Sequence, residues 1–351
     1  MGDKAGAASS SLARTQSQAN HRVTSVDVAA ESGVSQTTVA RVFSSPDKVS
    51  PATRERVRAA AERLGYVPNA IARSLKSQRT NIVGAVVPAY GEYWQSVLAE
   101  FSRQLAERSY QLLVFSFGTP RDVDGALASV AQYRLDGVVL ASATIGQAQL
   151  VGMRSSERPS VAFNQPAAEG VVPSVSVDNE AGMAELAEHL VKLGIDTAAY
   201  IGGVSSASTD QVRYRGAVQT LAEHGVACPY IEAGAYTYDA GYKAAAQLAQ
   251  RDRLPDAVMV GSDEVAFGVL DGLANAGISV PGDLLLTGFD GLPQASWAGY
   301  DLTTLVQTTD VLVARAIDVL TGPGVDPGEK PASIVVPGSI RVGKTTRKSS
   351  A

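Results

Sequence analysis

The sequence predicts an α/β protein in which a small helical unit precedes a larger body made of two lobes with parallel sheets. Two observations carry this prediction. Helix caps and breakers divide residues 24–65 into three short helices, and beyond Asn81 short apolar runs alternate with amphipathic helical stretches, as in βαβ units. Because roughly 270 residues of α/β are too many for one sheet, we expect two similar lobes.

Helix-capping and helix-breaking residues divide the N-terminal part of the chain. Residues 1–20 hold mostly Ala, Ser and Gln, which cannot bury enough surface to offset the entropy of ordering, so we predict a disordered tail. Thr24 is the expected N-cap of the first helix, Gly33 ends it, and Ser35 caps the second. Ser50 and Pro51 open a third helix at 52–64, which Gly65 closes. Residues 21–67 are therefore predicted to form one compact unit.

In the body, apolar runs predict strands and the stretches between them predict helices. Strands are expected at 82–87, 111–117, 137–140, 160–163, 197–201, 257–260 and 284–287. The clearest helices are expected at 94–107, 180–193, 213–224 and 264–276. The body is predicted to span residues 81–343, followed by a polar tail at 344–351.

Charge is unevenly distributed along the chain. Residues 1–80 hold 12 Lys and Arg against 6 Asp and Glu, which leaves 18 against 29 for residues 81–351. A basic head on an acidic body suggests that the head binds a polyanion, although an excess of this size also fits ordinary surface variation.

Several classes of protein are excluded by composition and motifs. The chain has no apolar run long enough to span a membrane and no apolar signal-peptide core at its N-terminus, so we expect a soluble, cytoplasmic protein. One cysteine, Cys228, and three scattered histidines make a poor metal site, and no cofactor is predicted. No GxSxG elbow, phosphate loop or His-carboxylate motif is present, which argues against an enzyme.

The segment between the first two helices has helix-turn-helix spacing. Gly33 can adopt a left-handed conformation, Val34 fills the angle between the helices, and Ser35 opens a helix whose first side chains face outward. Taken alone, this turn also fits a plain helical hairpin.

A longer string resembles the LacI/GalR (lactose repressor) family nearly position by position: VTSVDVAAESGVSQTTVARVFSSPDKVSPATRERVRAAAERLGYVPNAIARSLKSQRTNIVGAVVP. The resemblance continues through VKLGIDTAAYIGG, RYRG at 213–216, GSDEVAFGVLDGLANAGISVPGDLLLTGFDG and LTTLVQ, and it covers residues 22–346. It implies a homodimeric repressor of double-stranded operator DNA with a helix-turn-helix head, a hinge helix and a body similar to periplasmic sugar-binding proteins.

The resemblance also assigns DNA-binding residues in the head. It places Gln36, Thr37 and Arg41 at base edges of the major groove, and Thr24, Ser35 and Thr38 at phosphates. Arginine and glutamine have bidentate geometry for guanine and adenine, which supports Arg41 and Gln36 on chemical grounds. Many family members carry small apolar residues at the first two recognition positions, so the Gln-Thr pair leaves the operator sequence open.

Residues 68–80 resemble the family's hinge helix and linker, in which Asn69, Ala72 and Leu75 match minor-groove positions. A helix of about seven residues is marginal alone, so it should form only when paired on DNA. Leu75 is then expected to act as an apolar wedge between base steps; the alternative is ordinary packing of the linker.

Polar residues follow the predicted strands where ligands of open α/β sheets bind. Asn164 and Asp290 directly follow the apolar runs that end at Phe163 and Phe289. Ser262 and Asp263 come after Val260 and Gly261. Arg213 is expected at the start of a helix after the strand that ends near Gly203. Carboxylate, amide and guanidinium groups on one cleft suit a hydroxyl-rich ligand.

The resemblance matches Arg213 and Asp290 to the family's main effector-binding pair, Asn164 and Ser262 to nearby polar ligands, and Tyr236 to a stacking aromatic. Two departures are Pro88-Ala89-Tyr90 and Ala141-Ser142, where some members have polar or aromatic residues, so Tyr93 and Trp94 are candidates for the missing stacking surface. Structural roles are the alternative for some of these residues: capping or an inter-lobe salt bridge for Arg213, Asp263 and Asp290, and core packing for Tyr236. The expected effector-binding set is Trp94, Asn164, Arg213, Tyr236, Ser262, Asp263 and Asp290.

The sequence therefore favours a transcriptional repressor whose operator affinity is controlled by a small molecule, with a sugar or sugar derivative ahead of a nucleobase. A solute-binding protein without DNA activity and a regulator controlled by a protein partner are the alternatives. The family's tetramers use an added leucine-rich C-terminal helix, whereas this chain ends in GKTTRKSSA, so we expect a dimer.

Overall fold

The computed structural model of the chain describes residues 23–67, 79–89, 91–142, 145–156, 158–165, 171–322 and 331–347. The chain divides into two compact units, with the boundary between Thr80 and Asn81. The predicted tail at 1–20 and most of the predicted hinge segment lie outside the described residues.

The head unit contains the three predicted helices, α1 (Ser25–Ser32), α2 (Gln36–Ser44) and α3 (Pro51–Leu64). Thr24 caps α1 through a reciprocal arrangement in which its backbone N–H donates to the Asp27 carboxylate at 2.8 Å. Gly33 has a φ of 64° and Gly65 has the same value, so both adopt the left-handed conformation that the turn prediction requires. The inner faces bury a small core, to which Val39 and Val42 of α2 contribute.

The elements of the body follow in this order: β1 (Ile82–Pro88), α4 (Glu92–Glu107), β2 (Gln111–Phe117), α5 (Val123–Ala131), β3 (Gly137–Leu140), α6 (Gln147–Ser155), β4 (Ser160–Phe163), β5 (Ser174–Val177), α7 (Asn179–Lys192), β6 (Ala198–Gly202), α8 (Ser208–Glu223), β7 (Tyr230–Glu232), α9 (Tyr238–Ala249), β8 (Ala257–Val260), α10 (Asp263–Asn275), β9 (Leu285–Asp290), β10 (Thr303–Val306), α11 (Thr309–Thr321), β11 (Ser333–Val336) and β12 (Ser339–Arg341).

The strands form two six-stranded sheets with the same order. The first sheet runs β2-β1-β3-β4-β5-β11 and the second runs β7-β6-β8-β9-β10-β12. Described pairings are parallel except that of β10 with β12. The chain passes between the sheets after β5, after β10 and after β11. The predicted body of two lobes with parallel sheets is therefore confirmed.

Central strands are apolar because helices cover both faces of each sheet. β3 (GVVL) and β8 (AVMV) are buried along their whole length. In such doubly wound sheets ligands bind beyond the carboxyl ends of the strands, next to the point where strand order reverses. That point lies between β1 and β3 in the first lobe, and between β6 and β8 in the second.

Three details differ from the sequence prediction. Helix α8 begins at Ser208 rather than at Arg213, which places Arg213 in its second turn. The sequence does not predict five of the strands, β5, β7, β10, β11 and β12. In β5 and β10, serine and threonine interrupt the apolar character. The predicted polar tail starts as a turn of 3-10 helix, Lys344–Thr346, in which Thr345 and Thr346 are buried. In the described part of the chain, no helix is long and apolar enough to cross a membrane.

Candidate functional site

The N-terminus of α2 is held by its own side chains. The Ser35 hydroxyl accepts the backbone N–H of Thr38 at 3.2 Å, and the hydroxyls of Ser35 and Thr38 lie 2.9 Å apart. Two of the three residues predicted to contact phosphates, Ser35 and Thr38, therefore stabilise the start of the predicted recognition helix. Thr24 has the same capping role on α1.

The residues predicted to reach base edges lie on the exposed side of α2, opposite the buried Val39 and Val42. Gln36 donates from Nε2 to the Ser25 hydroxyl at 2.9 Å, which holds the amide against α1. Thr37 and Arg41 are exposed, and within the described residues the Arg41 side chain has no hydrogen-bond or ion-pair partner. The guanidinium can therefore form new bonds without breaking existing ones.

The predicted minor-groove residues Asn69, Ala72 and Leu75 lie outside the described residues. Their roles stay predictions.

Arg213 is the centre of a buried polar network in the second lobe, with only 4% of its side chain exposed. Its Nε donates to Asn179 Oδ1 at 2.8 Å, and its Nη1 donates to the carbonyl of Gly261. The guanidinium also lies 3.8 Å from the centre of the Phe289 ring. Arg213 thus joins the start of α7, the end of β8 and the end of β9.

Asp290 completes this network. Its Oδ1 lies 3.5 Å from Arg213 Nη2 and accepts the Gln307 side-chain amide at 2.7 Å. Asp290 has a φ of 131°, a region that non-glycine residues enter at a cost in strain and that is enriched at functional sites. Burial raises the pKa of Asp290 to about 7, while Arg213 opposes the shift.

Asp263 and Ser262 have structural partners. Asp263 is fully buried; its two oxygens accept the Thr304 hydroxyl at 2.6 Å and the Leu292 backbone N–H at 2.8 Å. Burial raises its pKa to about 6, against the effect of these hydrogen bonds. The Ser262 hydroxyl caps α10. Both residues lie at the predicted strand end, and their side chains hold the backbone there.

The other predicted effector residues are Tyr236, Asn164 and Trp94, each with surroundings of its own. The Tyr236 ring packs on Gly203, where any side chain would overlap it. Asn164 has a φ of 53°, and its buried Oδ1 has no hydrogen-bond partner within the described residues. Trp94 contacts Tyr93 edge to face, with 5.0 Å between ring centres, and Tyr93 donates its hydroxyl to Gln307 at 3.1 Å. The first lobe thus meets the Arg213 network through this aromatic pair.

Sequence reasoning missed Gln307 and Asn179, both of which bond directly to predicted site residues. Gln307 follows β10, and Asn179 comes two residues after β5. Asn164 and Asp290 are predicted because a polar residue follows an apolar run. The same signal would identify Gln307 and Asn179 once β10 and β5 are recognised as strands.

Comparison with known proteins gives two family matches. Residues 25–69 match the bacterial regulatory proteins of the lacI family, and residues 187–346 match a periplasmic binding protein-like domain. Catabolite control protein A of Priestia megaterium is 32% identical over 304 residues, covering 85% of this chain and 92% of that protein.

Solved structures have the same fold. The lac repressor dimer bound to operator and the anti-inducer ONPF superposes with a TM-score of 0.80 at 23% identity, covering 92% of this chain and 99% of that one. The transcriptional regulator CelR in complex with cellobiose has a TM-score of 0.66 at 27% identity, covering 92% and 100%. The family comprises DNA-binding regulators and not enzymes. The chain belongs to the LacI family of bacterial transcriptional regulators, with an N-terminal DNA-binding domain and a periplasmic-binding-protein-like effector domain.

Proposed function

We propose that the protein is a cytoplasmic repressor that binds operator DNA as a homodimer, and that a sugar or sugar derivative bound between the two lobes controls its affinity for DNA. The observation that carries this proposal is the buried set Arg213, Asp290 and Gln307 at the strand ends, next to Tyr93 and Trp94. Planar charged groups bind sugar hydroxyls in fixed pairs, and an aromatic wall covers the apolar face of a sugar ring.

Two structural neighbours support a sugar as the ligand class. CelR was solved with cellobiose, and a LacI family regulator from Enterococcus faecium was solved with bound ribose. The unpartnered oxygen of Asn164 offers an acceptor for a ligand hydroxyl from the first lobe.

The head supports operator binding because α2 presents Gln36, Thr37 and Arg41 on one exposed side. Arginine reads guanine through two parallel hydrogen bonds, and such a pair is worth about 1–3 kcal/mol of discrimination. The hinge residues Asn69, Ala72 and Leu75 are proposed to enter the minor groove when the paired hinge helices fold on DNA.

An aromatic surface of the second lobe supports a homodimer. Tyr238 and Tyr242 on α9 are each 37% exposed, and Trp297 is 58% exposed. Tyr238 and Tyr300 both donate hydroxyls to Asp271, at 2.8 and 3.0 Å, which fixes the rings in place. Fixed aromatic rings are enriched at protein interfaces, and the neighbouring lac repressor structure is a dimer.

A ligand screen combined with DNA binding tests the proposal. Purified full-length protein is heated with a panel of mono- and disaccharides that includes cellobiose and ribose, and with nucleobases as a second group. A ligand at 100 times its Kd should add about 2.7 kcal/mol of stability. The same compound should change the affinity for DNA flanking the protein's own gene, and Asp290→Ala should lose this response while still binding that DNA.

Control by a protein partner is the second candidate. The observation that favours it is that Arg213 and Asp290 already bond to protein groups, namely Asn179, the Gly261 carbonyl, Gln307 and each other. In that case no member of the panel stabilises the protein, although the DNA still binds.

A further inference from the structure

Helix α4 starts at the cleft without a capping side chain of its own. Its N-cap is Gly91, with a φ of 108°, which has no side chain to cap the first turn. The first four N–H groups of a helix have no partner within the helix and must be satisfied from elsewhere.

A carboxylate from the second lobe supplies a partner. The Glu92 backbone N–H donates to Glu264 Oε2 at 3.2 Å, and Glu264 belongs to the first turn of α10. A Cβ at position 91 would lie 3.4 Å from the same oxygen, and only glycine adopts this φ without strain. A Cβ at this distance makes an ordinary contact, so glycine matters here for the backbone conformation that brings the Glu92 N–H to Glu264.

The side chain of Glu92 makes a second contact with the second lobe. The Gln294 side-chain amide, also in the second lobe, donates to the Glu92 carboxylate at 3.1 Å. The first residue of α4 is thus bonded to the second lobe through both its backbone and its side chain.

The next two residues of α4 are Tyr93 and Trp94, which belong to the proposed effector site. Tyr93 reaches Gln307 and through it Asp290, and Trp94 packs against Tyr93. The turn that Glu264 caps is therefore the turn that presents the aromatic wall of the first lobe.

We infer that Glu264 is a positioning residue of the effector site, which caps α4 from the opposite lobe and thereby holds Tyr93 and Trp94 against the Arg213 network. The role of Glu264 in effector binding rests on the proposed function. Its effect on the position of Tyr93 and Trp94 can be measured without any effector.

Trp94 is a natural reporter of this position. The chain has two tryptophans, so Trp297→Phe leaves Trp94 alone while keeping an aromatic ring at the surface. In this background, ligand-free full-length protein is titrated with acrylamide, a neutral quencher, and the quenching constant of Trp94 is measured.

Glu264→Ala should raise the quenching constant by at least about twofold, because the first turn of α4 loses its cap, stays bonded to the second lobe only through the Gln294–Glu92 contact, and exposes the ring more often. Glu264→Gln keeps an acceptor oxygen at the same reach and should restore a value close to that of the parent. The matched control is Glu232→Ala: the Glu232 carboxylate accepts a backbone N–H of Ser205 at 3.0 Å, but both residues lie in the second lobe. This control should leave Trp94 unchanged.

A quenching constant in Glu264→Ala equal to that of the parent, or an equal rise in Glu232→Ala, would overturn the inference. If Glu264→Ala fails to fold, Gly91→Ala tests the same contact from the first lobe, and an unchanged constant there has the same consequence. If no compound of the ligand screen binds, the proposed effector class is rejected. The quenching experiment still tests the role of Glu264, because it uses acrylamide as its probe and no effector.

Discussion

Replacing Arg213 by alanine should destabilise the body strongly, because it removes one partner of a buried charge pair. The change leaves the Asp290 carboxylate without its cation and leaves Asn179 Oδ1 and the Gly261 carbonyl without a donor. Breaking a buried ion pair from one side costs about 3–5 kcal/mol, most of it from the uncompensated charge that remains. The free energy of unfolding in urea at pH 8 measures this cost.

The pH dependence identifies the source of the cost. Arg213 lowers the pKa of Asp290, so its loss should raise that pKa above the present value of about 7. A carboxyl whose pKa is higher in the folded than in the unfolded state binds more protons when folded. Stability therefore rises as pH falls through the folded pKa, by up to ~1.4 kcal/mol per pH unit. Between pH 8 and pH 6 the variant should gain more stability than the wild-type protein does.

Adding Asp290→Asn to Arg213→Ala should recover part of the loss, since the asparagine is neutral and its side-chain oxygen can still accept the Gln307 amide. A single variant that costs less than about 1 kcal/mol, or a double variant as unstable as the sum of the two single ones, would refute the buried-charge explanation. The matched control is Arg215→Ala on the same helix as Arg213: the exposed Arg215 guanidinium pairs with the exposed Glu180 of α7, and its loss should cost about 0–1 kcal/mol.

Three further predictions concern DNA and assembly. Arg41→Ala should lose about 1–3 kcal/mol of preference for operator over random DNA in a competition assay, with effector binding unchanged; an unaltered preference would reject its role at base edges. Ala72→Gly should cost about 0.8–1 kcal/mol of helix per chain and lower operator affinity about ten- to thirtyfold in a dimer, and amide exchange of the hinge should be slow only on DNA. Tyr242→Asp should shift the sedimenting species from dimer to monomer by placing a charge in the proposed interface; a variant that stays dimeric removes this surface from the interface.

The predicted fold follows from features that are local in sequence. Strand bounds at 111–117, 137–140, 160–163 and 257–260 agree with the structure to the residue, because each is an apolar run between turn residues. The head is equally local, since Thr24, Gly33 and Ser35 act at the helix ends where they stand. Capping and the left-handed turn need no distant partner.

The missed elements depend on distant partners. Thr303 and Thr304 in β10 are fully buried, and their hydroxyls bond to residues about 40 positions away, at Thr346 and at Asp263. In the sequence these residues resemble a surface segment, so the strand and the site residue after it, Gln307, were not recognised. Buried hydroxyl groups need hydrogen-bond partners, and for Thr303 and Thr304 only the tertiary fold supplies them.

The start of α8 was misplaced for the same reason. Its first turn, beginning at Ser208, is polar, and Asp210 is buried there against the hydroxyls of Tyr200 and Tyr230. The sequence predicts Arg213 at the cleft but cannot show that it is held in the second turn of a helix anchored by this carboxylate. The contact of Glu264 with Glu92 likewise joins residues 172 positions apart.

A nuclease footprint of the purified full-length protein on DNA flanking its own gene, recorded with and without each sugar that raises the unfolding temperature, tests the central claim most directly. We expect a protected site with two-fold symmetry, whose occupation changes with the sugar by a factor of about 5–150, the usual range of allosteric coupling. Asp290→Ala should protect the same site and no longer respond to the sugar. A site whose protection stays the same in the presence of every stabilising sugar would contradict the claim that the cleft controls the head.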